Sequence, residues 1–364
     1  MHLPVKPYIE SRLKTSYAVE GPETRYVIDC GDGVNVLTSS EAARRAVREL
    51  ELELFQGYPH TVEMKEALAR YWEPWAKLPL HRIFLGEGSQ SLLYDVCRLF
   101  LEPGDRVIGI GPCYAEFASD VGMWGAEYDY VQLRPENRFR FDCQEMLSRM
   151  DGSHKLVYVD TPNNPTGQAI PLEEVEALTD RAARLSIPII VDEAYGGYLP
   201  QAQSAVTLTE RYENLVVLRS FSKAHGLAGA RAGYGILPEQ LCVPLDNITH
   251  PYICSNPARA VAKAALEDRG FLDRTRRVTA ELKAPFLREW STLSVSHTCP
   301  ETPIFLLTHP DPGVDLKAAF DAHRIKVVSG RSFVGLGENS VRLRAPLAGD
   351  LEAVLRAVEA IDRG

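Results

Sequence analysis

The sequence predicts an α/β protein: a large domain built on a mostly parallel, helix-flanked sheet, followed by a smaller α+β domain. Three observations carry this. Short, near-continuous apolar runs recur along the chain, and strands buried on both faces read this way. From about residue 45 to 240 these runs alternate with helix-like segments, the pattern of a parallel sheet with crossover helices. After Pro251 the texture changes to a long helical stretch and then a second, shorter set of strands and helices.

In chain order, Thr38-Ser39-Ser40-Glu41 has the spacing of a capping box and opens a helix through Ala43, Val47 and Leu50. Strand-like runs follow at 82–85, 106–110, 156–159, 187–191, 215–218 and 232–237. Between the first two, Leu92, Leu93, Val96, Leu99 and Phe100 recur at three and four residues, which marks a helix. From Asn256 a helical stretch runs to about residue 290. It leads to a strand at 304–307, a helix at 316–323, strand-like 325–329 and 340–344, and a final helix. The large domain is expected over 45–250 and the small one over 251–364.

Composition bounds the function. The chain has 364 residues, 45% apolar and 24% charged, which are ordinary globular values and exclude a disordered or collagen-like protein. Forty Lys and Arg stand against 49 Asp and Glu, a net charge of −9, and no basic patch is visible, so nucleic acid is not an expected partner. No apolar run approaches the ~20 residues of a membrane span. The segment MHLPVKPYIESRLK has no apolar signal core. Seven cysteines without a C-x-x-C pair read as reduced thiols of a cytoplasmic protein.

Four polar segments each follow a strand-like run, where ligands bind in open α/β sheets. Gly86-Glu87-Gly88-Ser89-Gln90-Ser91 is a glycine turn entering a helix, which offers backbone N–H groups to an anion. Thr161-Pro162-Asn163-Asn164-Pro165-Thr166-Gly167 is a rigid loop. Asp192-Glu193-Ala194-Tyr195 ends a buried run with two acids and a tyrosine. Ser220-Phe221-Ser222-Lys223, continuing to Gly229-Ala230-Arg231, sets two hydroxyls, a lysine and an arginine on one loop. A lysine, a strand-end aspartate, a tyrosine, an asparagine and an anion site together point to pyridoxal 5'-phosphate, held through a Schiff base and a phosphate cradle.

The segments PNNPTG, VDEAY and SFSKAHGLAGAR, in this order, resemble the fold type I pyridoxal phosphate-dependent aminotransferases. The subgroup typified by histidinol-phosphate aminotransferase and threonine-phosphate decarboxylase is the most similar. The resemblance implies an aspartate aminotransferase-like architecture with a seven-stranded sheet, and an N-terminal arm over 1–44 that joins the small domain. It implies that Lys223 forms the Schiff base and moves the substrate proton, and that Asp192 pairs with the pyridine nitrogen. Tyr195 and Asn164 would meet the ring's phenolic oxygen. Gly88, Ser89, Gln90, Ser220, Ser222 and Arg231 would surround the phosphate, and Tyr114 would lie against the ring. Tyr58 would reach the phosphate from the partner subunit of a homodimer.

For the substrate, the resemblance assigns Arg342 to the α-carboxylate and Asn35 to a loop over the donor, although the proline usual after that asparagine is Val36 here. Two further positions depart from the subgroup. An asparagine expected before an aromatic is replaced in Pro303-Ile304-Phe305, and an arginine expected near Val328-Ser329 is absent, with Arg331 and Arg344 nearby. The function expected is transfer of an amino group between an amino acid or amino alcohol phosphate and a 2-oxo acid. The alternative is a decarboxylase or cyclase on the same fold. A DNA-binding regulator would need a further module, and the glycine pairs at 109–111 and 335–337 lack the context of a dinucleotide site.

Overall fold

The computed structural model describes Leu3, residues 5–11 and residues 26–364. The arm expected over 1–44 therefore lies partly outside the described residues. A seven-stranded sheet forms the centre of the molecule. In chain order its strands follow β1 (Ile28–Asp29), which lies elsewhere. They are β2 (Ile83–Gly86), β3 (Arg106–Gly111), β4 (Glu127–Gln132), β5 (His154–Asp160), β6 (Ile189–Glu193), β7 (Leu215–Ser220) and β8 (Gly233–Ile236). The spatial order is β2-β8-β7-β6-β5-β3-β4. β8 runs antiparallel to both neighbours and the other pairings are parallel. The direction of winding reverses between β3 and β5, which opens a crevice at their carboxyl ends.

The apolar runs behave as read. Residues 189–193 are buried throughout, as are Leu215–Arg219 of β7. β4 was not legible as an apolar run, because Glu-Tyr-Asp-Tyr-Val-Gln buries only Val131 completely. It is an edge strand and keeps one side in water.

Helices cover the sheet. α1 (Pro7–Glu10), α2 (Glu41–Arg48), α3 (Val62–Trp72), α4 (Gly88–Phe100), α5 (Ala115–Met123), α6 (Cys143–Arg149), α7 (Leu172–Arg184) and α8 (Glu239–Ile248) precede residue 250. The start of α2 corrects the capping-box reading. Ser40, not Thr38, is the N-cap, its hydroxyl accepting the Ala43 N–H at 3.1 Å, and Thr38 sits at φ 65° outside the helix. The long stretch after Asn256 is two helices, α9 (Asn256–Glu267) and α10 (Arg269–Lys283). They part at Asp268, whose carboxylate caps α10 through the Phe271 N–H at 3.1 Å.

The remaining elements are β9 (Ser294–Val295), β10 (Ile304–Thr308), α11 (Leu316–Ala322), β11 (Ile325–Lys326), β12 (Val328–Ser329), β13 (Ser340–Arg344) and α12 (Leu351–Arg363). β12-β13-β10-β9 is an antiparallel sheet, while β1 pairs in parallel with β11. Phe286, Phe305, Phe320, Val341 and Val354 pack with Cys30 in a second apolar core. The apolar side chains of α9, from Ala258 to Leu266, belong instead to the large core around the seven-stranded sheet. Among the described residues, no helix is long and apolar enough to cross a membrane.

Candidate functional site

The carboxyl ends of β5, β6 and β7 are neighbours in space, so the loops after them share one cavity. Its lining includes Asp160, Asn164, Asp192, Tyr195, Ser220, Ser222, Lys223 and Arg231, joined by Ser89 and Gln90 from the first turn of α4 and Tyr114 from the loop after β3. The expected cofactor residues are brought together from five separate segments, apart from Gly88 and Tyr58.

Asp192 is buried at the end of β6. The Ala194 N–H donates to Oδ1 at 2.9 Å and the Tyr158 hydroxyl to Oδ2 at 3.3 Å. Burial pushes its carboxyl up to about 6, against those two hydrogen bonds and the Lys223 charge. A carboxylate in this state gains from a cationic partner. Lys223 Nζ stands 5.3 Å from the Tyr195 ring centre. Tyr195 is buried, which raises its hydroxyl above the ordinary range and keeps it protonated.

Gly88 begins α4 at φ +72°, a conformation that favours glycine, and a Cβ there would fall 2.8 Å from Arg231 Nη2. No side chain caps α4, so its first N–H groups and dipole face the cavity end beside Arg231. Arg231 is oriented by donating to Glu87 O at 3.2 Å, Ala228 O at 3.1 Å and Ser222 Oγ at 3.4 Å. Ser220 Oγ accepts the Ser222 N–H at 3.0 Å. Cation, helix terminus and hydroxyls together form an anion cradle.

The floor is rigid. Glu193 and Arg219, opposite each other on β6 and β7, form a buried ion pair. Ser204 Oγ donates to Glu193 at 2.6 Å and the Ala205 N–H donates at 2.6 Å. The guanidinium lies 5.0 Å over the Trp72 ring. A buried pair that is this fully hydrogen-bonded holds Asp192 and Ser220, the next residues along, in register.

Besides Gly88, three expected residues lie off the cavity wall. Arg342, on β13, is 1% exposed and donates to Asn164 Oδ1 at 2.8 Å and Gly31 O at 2.6 Å, so it stands behind Asn164. Asn35 is buried beside the lysine loop, donating to Ala224 O at 2.5 Å and Thr275 Oγ1 at 3.2 Å, and its Oδ1 accepts the Leu37 N–H at 2.7 Å. Tyr58 is 72% exposed and stacks on Tyr252 at 4.6 Å, in a separate groove. Arg344 is spent on Ala345 O and Asp29 O, and Arg331 on Glu338 at 2.9 Å. Gly33, from the loop leading out of β1, closes over the lysine. A Cβ there would collide with Tyr195 Oη and fall 3.4 Å from Lys223 Nζ.

Sequence reasoning missed Asp160 and Tyr158. The available signal was that β5 ends in an aspartate, at the position paired with Asp192 on β6.

The family described as aminotransferase class I and II matches residues 27–361. The chain belongs to this family. It is a pyridoxal phosphate-dependent aminotransferase. It is 29% identical over 317 residues to the histidinol-phosphate aminotransferase of Methanopyrus kandleri, covering 84% of this chain and 80% of that protein. It is 31% identical over 280 residues to histidinol-phosphate aminotransferase 1 of Caulobacter vibrioides, covering 76% of each. Its fold is that of the Sinorhizobium meliloti histidinol-phosphate aminotransferase solved with pyridoxal-5'-phosphate, at TM-score 0.81 and 23% identity over 100% of this chain and 98% of that one. The aspartate aminotransferase of Thermotoga maritima aligns at TM-score 0.79 and 24% identity over 93% and 92%.

The aminotransferase's cavity fits the cofactor on its own chemistry. Two buried polar atoms of lining residues, Tyr195 Oη and Gln90 Oε1, have no hydrogen-bond partner among the described residues. Buried polar atoms are ordinarily paired, so these two await a polar ligand. The same lining supplies an anion cradle and a buried carboxylate, the two partners that a phosphate and a ring nitrogen require.

Proposed function

We propose that Lys223 is the amine to which the cofactor attaches and that the substrates are an amino acid or amino alcohol phosphate and a 2-oxo acid. The observation that carries this reading is the meeting of Lys223 and Asp192 in one cavity with the Arg231 cradle. When bound, pyridoxal phosphate supplies an aldehyde for amines and a ring that draws electrons from the substrate's α-carbon.

The chain's residues do the rest. Asp192, raised by burial, would hold a proton on the ring nitrogen by charge pairing. The Tyr195 hydroxyl would donate a hydrogen bond to the ring oxygen, as would Asn164. Ser89, Gln90, Ser220, Ser222, Arg231 and the α4 terminus at Gly88 would hold the phosphate, and Tyr114 would pack against the ring. The Lys223 amine would take the proton from the donor's α-carbon. Arg342 pairs with the substrate carboxylate, a role its planar fork suits. Asn35 acts by holding the loop at Ala224 next to Lys223.

Two further parts belong to this proposal. The enzyme is a cytoplasmic homodimer, supported by its seven free cysteines and by the exposed apolar side chains of Leu52, Phe55 and Tyr58. The chain divides into a large unit and a small one that includes the segment at Ile28 and Cys30; the packing of α9 supports a boundary near Asp268. The relatives' name supports a phosphorylated amino alcohol as donor.

The test is a panel of amino acids and phosphorylated amino alcohols added to the yellow holoenzyme. A donor bleaches the visible band and a 2-oxo acid restores it. Lys223→Ala is expected to lose that band and to lower turnover by at least on the order of 10²–10⁴-fold. Undiminished turnover in this variant overturns the assignment.

A further inference from the structure

Among the described residues lining the cavity, Asp160 is the carboxylate that the reading above leaves without a task. It is 3% exposed and ends β5, paired in register with Asp192 at the end of β6. Its hydrogen bonds reach into two different loops. Oδ2 accepts the backbone N–H of Tyr114 at 3.1 Å and that of Asn164 at 2.9 Å. Oδ1 accepts the Asn163 side-chain amide at 2.8 Å, and the same amide donates to Pro112 O at 3.1 Å. The loop after β3 and the loop after β5 are thus fastened to each other through one carboxylate.

We propose that Asp160 is a positioning residue that fixes Tyr114 and Asn164 relative to the cofactor ring. The inference rests on the reading that this cavity holds the cofactor. Two residues placed against the ring come from different strands, with no sequence link between them. A single acceptor shared by both backbone N–H groups sets their separation more tightly than packing alone would. Charge strengthens the clamp, since a carboxylate accepts backbone N–H groups more strongly than a neutral oxygen does. Burial and the facing Asp192 push the Asp160 carboxyl up to about 7, against the bonds from Asn164 and Asn163. This buried carboxylate keeps its place because its oxygens are committed to three donors.

The test compares Asp160→Ala and Asp160→Asn as holoenzymes. Asp160→Ala removes the clamp. The expected result is a loss of kcat on the order of 10²-fold, the scale of an ångström's misplacement, with a smaller change in KM and a weakened visible circular dichroism band of the bound cofactor. Asp160→Asn keeps one oxygen for both backbone donors and is expected to recover most of the lost kcat and of the dichroism. Asp160→Ser, one atom too short to reach the two N–H groups, takes the place of the alanine variant if that variant does not fold. Wild-type kcat and dichroism in Asp160→Ala or Asp160→Ser overturn the proposal, and so does an asparagine variant no better than they are. The wild-type protein with its Lys223→Ala control separates the two readings. A visible band lost in that control upholds the cofactor site whatever Asp160 does, and absence of the band in wild type overturns the cavity reading and the proposal with it.

Discussion

At Arg342 the chemistry asks for a shape as well as a charge. Its guanidinium is buried and already shared between Asn164 Oδ1 and Gly31 O, so its direction is set before any substrate arrives. Lysine at this position keeps the charge but cannot hold two partners in one plane while presenting a fork to a carboxylate. Arg342→Lys is expected to raise KM for the donor about tenfold or more, a loss of roughly 1.4 kcal/mol or above, with a smaller change in kcat. Steady-state kinetics read the split.

Asp160 and Asp192 make a second prediction through pH. Their folded values, about 7 and about 6, lie above the ordinary 3.8, so the native state holds protons that the unfolded chain has released. Stability drawn from this pair is therefore fully present below about pH 4 and is lost as pH rises toward 7. In the cofactor-free protein, Asp160→Asn is expected to gain thermal stability relative to wild type at pH 8 compared with pH 5. A difference in melting temperature that does not grow with pH contradicts this. Asp160 also marks the limit of the sequence at this scale. Asn164, Lys223 and Arg231 stand out inside turn-rich segments, and Asp192 stands out beside a second acid and a tyrosine. Asp160 closes its apolar run without such neighbours and reads as the run's last residue. Tyr158, whose hydroxyl meets Asp192, is hidden inside the same run.

Among elements, the loop from Asp29 to Asn35 shows how backbone can act as a functional surface. Lys326 holds it through Asp29 at 3.2 Å and Asp32 at 3.1 Å, Arg342 through Gly31 O, and Asn35 through Ala224 O. The absence of a side chain at Gly33 lets this loop close on Tyr195 and Lys223. Gly33→Ala forces the loop away from the lysine, and a loss of kcat/KM on the order of 10²-fold is expected, with little change in melting temperature. A variant with wild-type kinetics would show that the loop has room to spare. The buried strands were legible because both faces are apolar. β4 was not, since an edge strand carries its own mixture of Glu, Tyr and Asp. The break at Asp268 escaped because the residues on both sides of it keep a helical period.

For the whole molecule, the exposed Tyr58 and its groove frame the proposed dimer. If Tyr58 completes a neighbour's phosphate site, Tyr58→Ala weakens cofactor retention in a dimer that still forms. Sedimentation velocity is expected to return a dimer, and dialysis a faster loss of the visible band than in wild type. A monomeric wild-type protein with full activity contradicts this. The sequence foretold a mostly parallel sheet but not the place of each strand. The pairing of β2 with β8, and of β1 with β11, joins segments with no local signal for each other.

That last pairing has a consequence for how the protein comes into being. Asp29 and its partner Lys326 are 297 positions apart, and Gly31 and Arg342 are 311 apart. At about 5–20 residues per second, a ribosome takes roughly 15–60 s to bridge such a gap. Through that interval the segment that will cover Lys223 has only Asn35, on Ala224 O and Thr275 Oγ1, to hold it in place. The nascent enzyme thus carries its lysine, its aspartate and its anion cradle before the ties to Asp29 and Gly31 can form, and the cover is fully secured only when β11 and β13 emerge.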